Sequence, residues 1–357
     1  MIEKISSLAP ETLAPFDAII DVRSPAEFAE DRIPGAINLP VLTDEERAEV
    51  GTIYVRDSRF RARRIGAAYV ARNVAGHLET ALAERGPKFR PLVYCWRGGM
   101  RSNAMATILS QTGWRVGVLE GGYKTWRRAV VDAMSQAATP INLILIDGQT
   151  GTAKTDIIRK LSANGAQAID LEGLAAHKGS VFGGDAALAQ PSQKLFESRL
   201  FDAFRRLDSA APIAVEAESR RIGKINLPAR IWSSMRAAPR LLIRAGTKAR
   251  ARYVVDAYRD FIATEGALET AIDKLRPFHP KDTIAQWVSL AAARDYGALA
   301  EALMRAHYDP LYERARVRNG TSPSAIIDAG DLSVDEIEEA ARQTARAIAS
   351  LSRRSPP

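Results

Sequence analysis

Residues 91–102 read PLVYCWRGGMRS. Pro91, Leu92, Val93 and Tyr94 have the apolar and aromatic character of a short buried strand. Cys95, the only cysteine among 357 residues, stands at the end of that strand. Gly98 and Gly99 allow a tight turn without a Cβ clash, and helical spacing begins within a few residues, over 101–111. Strand, glycine-rich turn and helix make the repeating unit of an α/β layer fold. In such a turn successive backbone N–H groups can point at one atom and form an anion-binding nest. Here that atom is the Cys95 sulfur. The positive end of the following helix adds about 0.3–1 kcal/mol, and Arg97 and Arg101 add charge. All of these favour a thiolate over a thiol. The loop Cys95, Trp96, Arg97, Gly98, Gly99, Met100 and Arg101 would equally hold a thiolate carrying one extra sulfur or selenium atom. An inert buried cysteine is the alternative. Trp96 could stack on an extruded base or serve as packing at the rim.

Outward from this turn the same alternation recurs. A strand over 18–22 precedes Ser24-Pro25-Ala26-Glu27, a helix start with a cap, a proline and an acid in the expected order. Helices are expected over 43–50, 66–85 and 123–134, and a further strand from 116. Strands alternating with helices indicate a largely parallel sheet. This first domain is assigned to 1–134, with a linker over 135–140. A second α/β domain over 141–350 opens with an apolar strand at 141–147. Strand candidates follow from 168, 212 and 240. From 267 to about 318 the pattern is helical, broken at 276–280, and 351–357 reads as a disordered tail.

The strand at 141–147 runs into Gly148-Gln149-Thr150-Gly151-Thr152-Ala153-Lys154-Thr155 and then a helix, the setting of a phosphate-binding loop. Backbone N–H groups from Gly148 to Ala153 would wrap a diphosphate, Lys154 would neutralise it, and Thr155 could reach a metal ion. Ala153 stands where the usual pattern has a second glycine. A methyl is tolerated there if the residue takes a helical φ. Glu216 and Glu218 lie two apart on an expected strand and so face one side. They could hold Mg²⁺ through water or orient substrate, or pair with Arg220 or Arg221. Asp170 belongs to the same set of substrate or metal candidates. His177 and Ser180, in a glycine-containing stretch, are candidates for a substrate loop or ordinary surface. No complete ligand set for a metal is fixed by these residues, and no tightly bound cofactor is expected.

Composition bounds the rest. Hydrophobic residues make up 46% and charged residues 26%, an ordinary globular balance. No stretch approaches the roughly 18 apolar residues of a membrane span. The N-terminus lacks the form of a secretory signal, and one cysteine excludes an internal disulfide, which fits a reducing cytoplasm. The net charge is +8. Its excess is concentrated in 219–260, with eleven basic residues against two acidic ones, and in 56–72, with six arginines against Asp57. Arg61, Arg63, Arg64, Arg220, Arg221 and Lys224 are candidates to meet a phosphate backbone; a solvated basic face is the alternative.

Several stretches together carry a resemblance. Asp21-Val22-Arg23, Glu27-Phe28, Ile33-Pro34-Gly35-Ala36-Ile37-Asn38 and the loop Cys95 to Arg101 are similar to a rhodanese domain. That domain, followed by the phosphate loop, Asp170-Leu171-Glu172-Gly173-Leu174-Ala175 and Val215-Glu216-Ala217-Glu218-Ser219-Arg220, closely resembles the tRNA 2-selenouridine synthases up to about residue 320. The resemblance implies an enzyme, a transferase that replaces sulfur by selenium in the wobble 2-thiouridine of tRNA. It implies two steps: S-geranylation from geranyl diphosphate, then displacement of the geranylated sulfur by selenium from selenophosphate. It implies that Cys95 accepts a chalcogen atom and that the phosphate loop serves an isoprenoid diphosphate. Two readings of other classes stay open: a P-loop kinase or NTPase with a rhodanese sulfurtransferase domain, and a non-catalytic tRNA-binding scaffold.

Overall fold

The structure, a computed structural model, describes residues 1–136, 139–177, 189–319 and 322–353. The chain forms two compact units: Met1–Ser135 with Pro191–Arg206, and Gln136–Gln190 with the chain from Leu207 onward. Both are α/β, as the strand–helix alternation implies, and each is built on a five-stranded sheet.

In the first unit the strands are β1 (Ile2–Ile5), β2 (Ala18–Asp21), β3 (Ile37–Asn38), β4 (Pro91–Tyr94) and β5 (Val116–Leu119). Their spatial order is β1-β5-β4-β2-β3, and every pairing is parallel. The central strand β4 is buried along its whole length, which explains its unbroken apolar run. Two capping boxes start helices where the sequence marks them: Ser24 with Glu27 before Pro25–Glu30, and Thr43 with Glu46 before Asp44–Arg56. The helix expected over 66–85 instead runs Arg59–Glu79. Ser58 caps it by accepting from the Arg61 N–H, so the arginine-rich stretch is helical.

The second unit adds β6 (Leu143–Asp147), β7 (Gln167–Ile169), β8 (Ile213–Glu216), the small antiparallel pair β9 (Arg221–Ile222) and β10 (Ile225–Asn226), then β11 (Arg240–Arg244) and β12 (Ala325–Asp328). Its main sheet is parallel, in the order β12-β11-β6-β8-β7. The helix Lys154–Leu161 and the C-terminal helix Val334–Ser352 pack together over it, with Ile157, Ile337, Ala341 and Ile348 in one core. The helical stretch expected from 267 is present, with a 3₁₀ turn at Arg276–Phe278 where the break was expected and a π-helical turn at Met304–Tyr308. The helix reaching Ser352 overrides the tail expected from 351; residues 354–357 lie outside the described residues. Among the described residues no helix is long and apolar enough to cross a membrane.

One segment departs from a contiguous second domain over 141–350. The helix Gln193–Phe204 packs in the first unit. Trp126, fully buried, donates its indole N–H to Ser198 Oγ at 3.0 Å and meets Phe201 edge-on at 5.2 Å. Arg127 pairs with Glu197, and Arg205 lies over the Trp126 ring while its guanidinium donates to the Leu8 carbonyl. Trp126→Ala should therefore cost about 3–5 kcal/mol. Hydrogen exchange should show Gln193–Phe204 losing protection first, whereas Trp126→Phe, which keeps the ring contact, should cost less.

Candidate active sites

A parallel sheet carries its functional loops at the carboxyl ends of its strands. Cys95 follows β4, the middle strand of the first unit, and Gly148 follows β6, the middle strand of the second.

Cys95 is buried, at 3% exposure. The Gly99 N–H donates to its Sγ at 3.3 Å, and the Ser102 hydroxyl lies 3.3 Å away on the other side while also reaching the Gly99 carbonyl. Burial opposes ionisation, but the Ser102 hydroxyl, the Ser102 and Arg97 backbone N–H groups and the Arg101 charge outweigh it, so the thiol titrates below its ordinary value. The expected nest of backbone N–H groups is thus joined by a hydroxyl, Ser102, that the sequence reading did not single out. Its signal was there: it sits in the first turn of the helix Met100–Gln111.

Two glycines fix this loop. Gly98 has φ +64°, and a Cβ there would lie 2.5 Å from the Leu119 carbonyl. Gly122 has φ +55°, and its Cβ would lie 2.1 Å from the Cys95 carbonyl. The Tyr123 and Lys124 N–H groups then cap the Cys95 and Trp96 carbonyls. Beneath the loop Arg23 is fully enclosed. It binds both Asp21 oxygens, donates to the Asp31 carbonyl at 2.6 Å and lies 4.1 Å above the Tyr123 ring. Asp21 and Arg23 therefore brace the site rather than face it. Arg101 is tied to Glu27 at 2.8 Å, Arg97 and Met100 are exposed, and Trp96 stands 5.1 Å from Tyr123 with 37% of its surface free.

In the second unit the phosphate loop borders a cavity of about 750 Å³. Gly148 and Gly151 have positive φ, and a Cβ on Gly151 would press on Val254 and the Arg250 carbonyl at 2.8 and 2.9 Å. Ala153 also has a left-handed φ, 56°, and not the right-handed helical value that would leave its methyl unstrained. That conformation costs about 1–2 kcal/mol for an L-residue. The methyl is buried in the core with Ile157, and burying one such group returns about 0.8 kcal/mol, so packing offsets only part of the strain. Lys154 Nζ donates to the Gly148 and Gln149 carbonyls at 2.7 and 3.2 Å. Arg250, almost wholly buried, holds the loop from behind. It donates to the Thr150 carbonyl at 3.1 Å and forks onto both Asp309 oxygens at 2.9 and 2.7 Å.

The candidate carboxylates separate. β8 ends at Glu216, and the Glu218 N–H turns back to the Glu216 carbonyl at 2.8 Å, so the two do not share one face of a strand as expected. Glu216 is fully buried. One oxygen accepts from the Leu171 N–H at 2.8 Å and the other has no partner among the described residues. Burial and the neighbouring Asp170 charge push its carboxyl well above the usual range, toward the neutral form. Asp170 caps the helix Leu171–Ala175 and pairs with Arg159, a structural task. Glu218 and His177 do line the cavity, together with Glu172, which accepts a 2.7 Å bond from the Thr155 hydroxyl. Glu172 escaped the sequence reading, although it lies two positions from Asp170. Ser180 lies outside the described residues. Arg221 and Lys224 belong to the β9–β10 hairpin, where Arg220 and Lys224 are exposed.

Beside this cavity is a second one, narrow and apolar, of about 70 Å³. Phe261, Leu268, Leu299, Ala300, Leu303 and Met304 line it, and Thr150, Val254, Tyr258 and Tyr308 line both cavities.

Two measurements check these electrostatics. Alkylation of Cys95 followed against pH should show a midpoint below that of an ordinary thiol, and Ser102→Ala should move it upward. Glu218 is pushed up to about 7 from an ordinary 4.5, by burial first and then by the Glu172 charge, against the pull of Lys154. Between those values the folded chain keeps a proton that the unfolded chain releases. Glu218 alone therefore makes stability fall as pH rises from 4.5 to about 7. In thermal denaturation Glu218→Gln should make that fall shallower, leaving the part that the raised Glu216 contributes.

Comparison with known proteins adds a family. A profile of the rhodanese-like domain matches residues 8–129, and a profile of the tRNA 2-selenouridine synthase AAA domain matches 141–277. A tRNA 2-selenouridine synthase from Cupriavidus pinatubonensis is 32% identical over 333 residues, covering 82% of this chain and 87% of that protein. One from Pseudomonas fluorescens is 30% identical over 345 residues, covering 87% and 93%. One from Cupriavidus necator is 34% identical over 329 residues, covering 83% and 87%. Matched in both halves and over nearly the full length of these relatives, the chain belongs to the tRNA 2-selenouridine synthase family.

Proposed function

We propose that this chain replaces the sulfur of wobble 2-thiouridine in tRNA by selenium, in the cytoplasm, using geranyl diphosphate and selenophosphate. The observation that supports the isoprenoid diphosphate as a substrate is the pair of adjoining cavities. A nucleotide needs a phosphate cradle and a polar or aromatic seat for its base. An isoprenoid diphosphate needs a phosphate cradle opening onto a purely apolar slot, and Phe261, Leu299, Ala300 and Leu303 provide one beside Thr150. The slot is small, which favours a short isoprenoid, and Met304 is unbranched and yields to shape.

The chemistry divides between the centres. The thiocarbonyl sulfur attacks C1 of the geranyl group and diphosphate departs. The loop N–H groups and Lys154 take up the charge that grows on the leaving oxygens. Thr155 and Glu172 present oxygen ligands of the kind Mg²⁺ accepts alongside substrate phosphates. Alkylation turns a poor leaving group into a geranylthiol. Selenium from selenophosphate then adds at C2, the geranylthiol leaves with a proton, and water takes the phosphoryl group as phosphate. Cys95, in its thiolate-favouring loop, serves this second step.

Mass spectrometry of digested tRNA tests the scheme. With both small substrates the parent chain should yield 2-selenouridine. Cys95→Ser should stop at S-geranyl-2-thiouridine, and Lys154→Ala should make neither until supplied with pre-geranylated tRNA. Ala300→Trp, filling the slot, should lose binding of geranyl diphosphate but keep inorganic diphosphate. Tight ATP binding with Lys154-dependent release of the γ-phosphate, and no response to geranyl diphosphate, would overturn the scheme in favour of a kinase-like enzyme.

A further inference from the structure

The two basic stretches fare differently in the fold. Among the described residues, five of the eleven basic residues in 219–260 are in ion pairs: Arg240 with Asp147, Arg244 with Asp328, Arg250 with Asp309, Arg252 with Asp331 and Arg259 with Asp256. Four of these acids, Asp147, Asp309, Asp328 and Asp331, come from elsewhere in the chain. Among the described residues the stretch 56–72 has one ion pair, Arg61 with its own Asp57.

It forms the outer part of a helical hairpin. The helices Asp44–Arg56 and Arg59–Glu79 pack side by side, with Val50 against Gly66, where an added Cβ would sit 3.4 Å from Val50 Cγ1. The hairpin is fastened at its base. Asn73 donates to the Val41 carbonyl and to Glu46, and His77 bonds the Pro40 carbonyl. From Asn73 to Arg59 the helix rises about 21 Å at 1.5 Å per residue, so the tip stands well out from that base.

At the tip, Val55 is 82% exposed, Phe60 76% and Tyr54 41%. Arg56, Arg59, Arg61, Arg63 and Arg64 surround them, all exposed. The lone acid, Asp57, pairs with Arg61 at 2.7 Å. The Arg59 guanidinium lies 5.6 Å from the centre of the Tyr54 ring, an arginine–aromatic stack already formed.

We propose that this hairpin tip takes up single-stranded RNA, the unpaired loop of a tRNA, with bases stacking on Phe60 and Tyr54 and phosphates on the surrounding arginines. The inference rests on the reading of tRNA as substrate and assigns the surface that receives it. Exposed rings among guanidiniums are the elements of a stacking platform in an electrostatic groove. A duplex, which offers phosphates and stacked bases, makes no use of the rings. A membrane surface calls for a continuous apolar helix face, and here Ala62, Gly66, Val70 and Val74 of the longer helix are already buried.

Fluorescence anisotropy with the full chain tests this, using a labelled RNA stem-loop and the fully paired duplex of the same stem. Tyr54→Ala with Phe60→Ala should weaken stem-loop binding at least about tenfold, since stacking is worth that or more per base, and leave duplex binding unchanged. Arg63→Ala with Arg64→Ala should weaken both and lower the salt slope by about 1.5. Unchanged circular dichroism and melting are expected, because these side chains are exposed. A ring variant that binds the stem-loop as tightly as the parent overturns the proposal. So does Phe60-dependent binding to phosphatidylglycerol vesicles, or Phe60-dependent dimerisation, without an effect on RNA. If the parent itself binds no RNA, the tRNA reading falls as well; loss confined to the ring variant's predicted effect leaves that reading standing.

Discussion

Both reactive loops depend on one constraint, the directionality of a parallel sheet. Every strand ends on the same edge, so the chain must turn there, and the turn after the middle strand is flanked by two others. Cys95 and Gly148 occupy that position in their respective units. The middle strands β4 and β6 are held on both sides by backbone hydrogen bonds. The loops that follow are therefore anchored at their origin, and the residues beneath them have only to hold their far ends. Gly122 under the cysteine loop and Arg250 behind the phosphate loop do so by different means, one by allowing backbones to touch, the other by a buried ionic fork.

The two centres manage charge in opposite ways. At Cys95 the local groups lower the energy of the charged form despite burial. Near the phosphate loop, burial wins at Glu216 and Glu218, and the carboxyls are pushed toward the neutral form. These shifts reduce the negative charge close to the Gly148–Thr155 loop. Arg250 and Asp309 bring no net charge to the loop they support, because each offsets the other. Breaking such a pair would leave one buried charge uncompensated, which makes either partner hard to replace alone.

The sequence was most informative where a side chain has a local reason to be there. The middle strands were legible because burial on both faces leaves an unbroken apolar run. Helix starts at Ser24 and Thr43 were legible because a capping box is a local arrangement. The edge strand β1 was not, since Ile2–Ile5 has no fully buried residue and alternates only weakly. The start of the long helix at Arg59 was hidden by its arginines, which suit an exposed helix and a loop equally well. The helix Gln193–Phe204 shows the limit most plainly. It was not among the expected helices, and nothing local says that Trp126 is its partner. Among site residues, Ser102, Glu172 and Arg250 were missed because their roles are defined by neighbours distant in sequence or by a fold of the loop itself.

The Lys154 ammonium sits on the carbonyls of its own loop, at Gly148 and Gln149. A ligand that recruits this lysine must draw it off those carbonyls, so arrival is an exchange of partners and not a simple addition. The net gain grows with the charge of the newcomer. A weakly charged anion offers little more than the two carbonyl dipoles already engaged, whereas a diphosphate with several ionised oxygens offers far more. The loop thus discriminates by valence before any part of the ligand's carbon skeleton is recognised. Under the proposed reading, chloride and carboxylates would compete poorly with a diphosphate for this lysine.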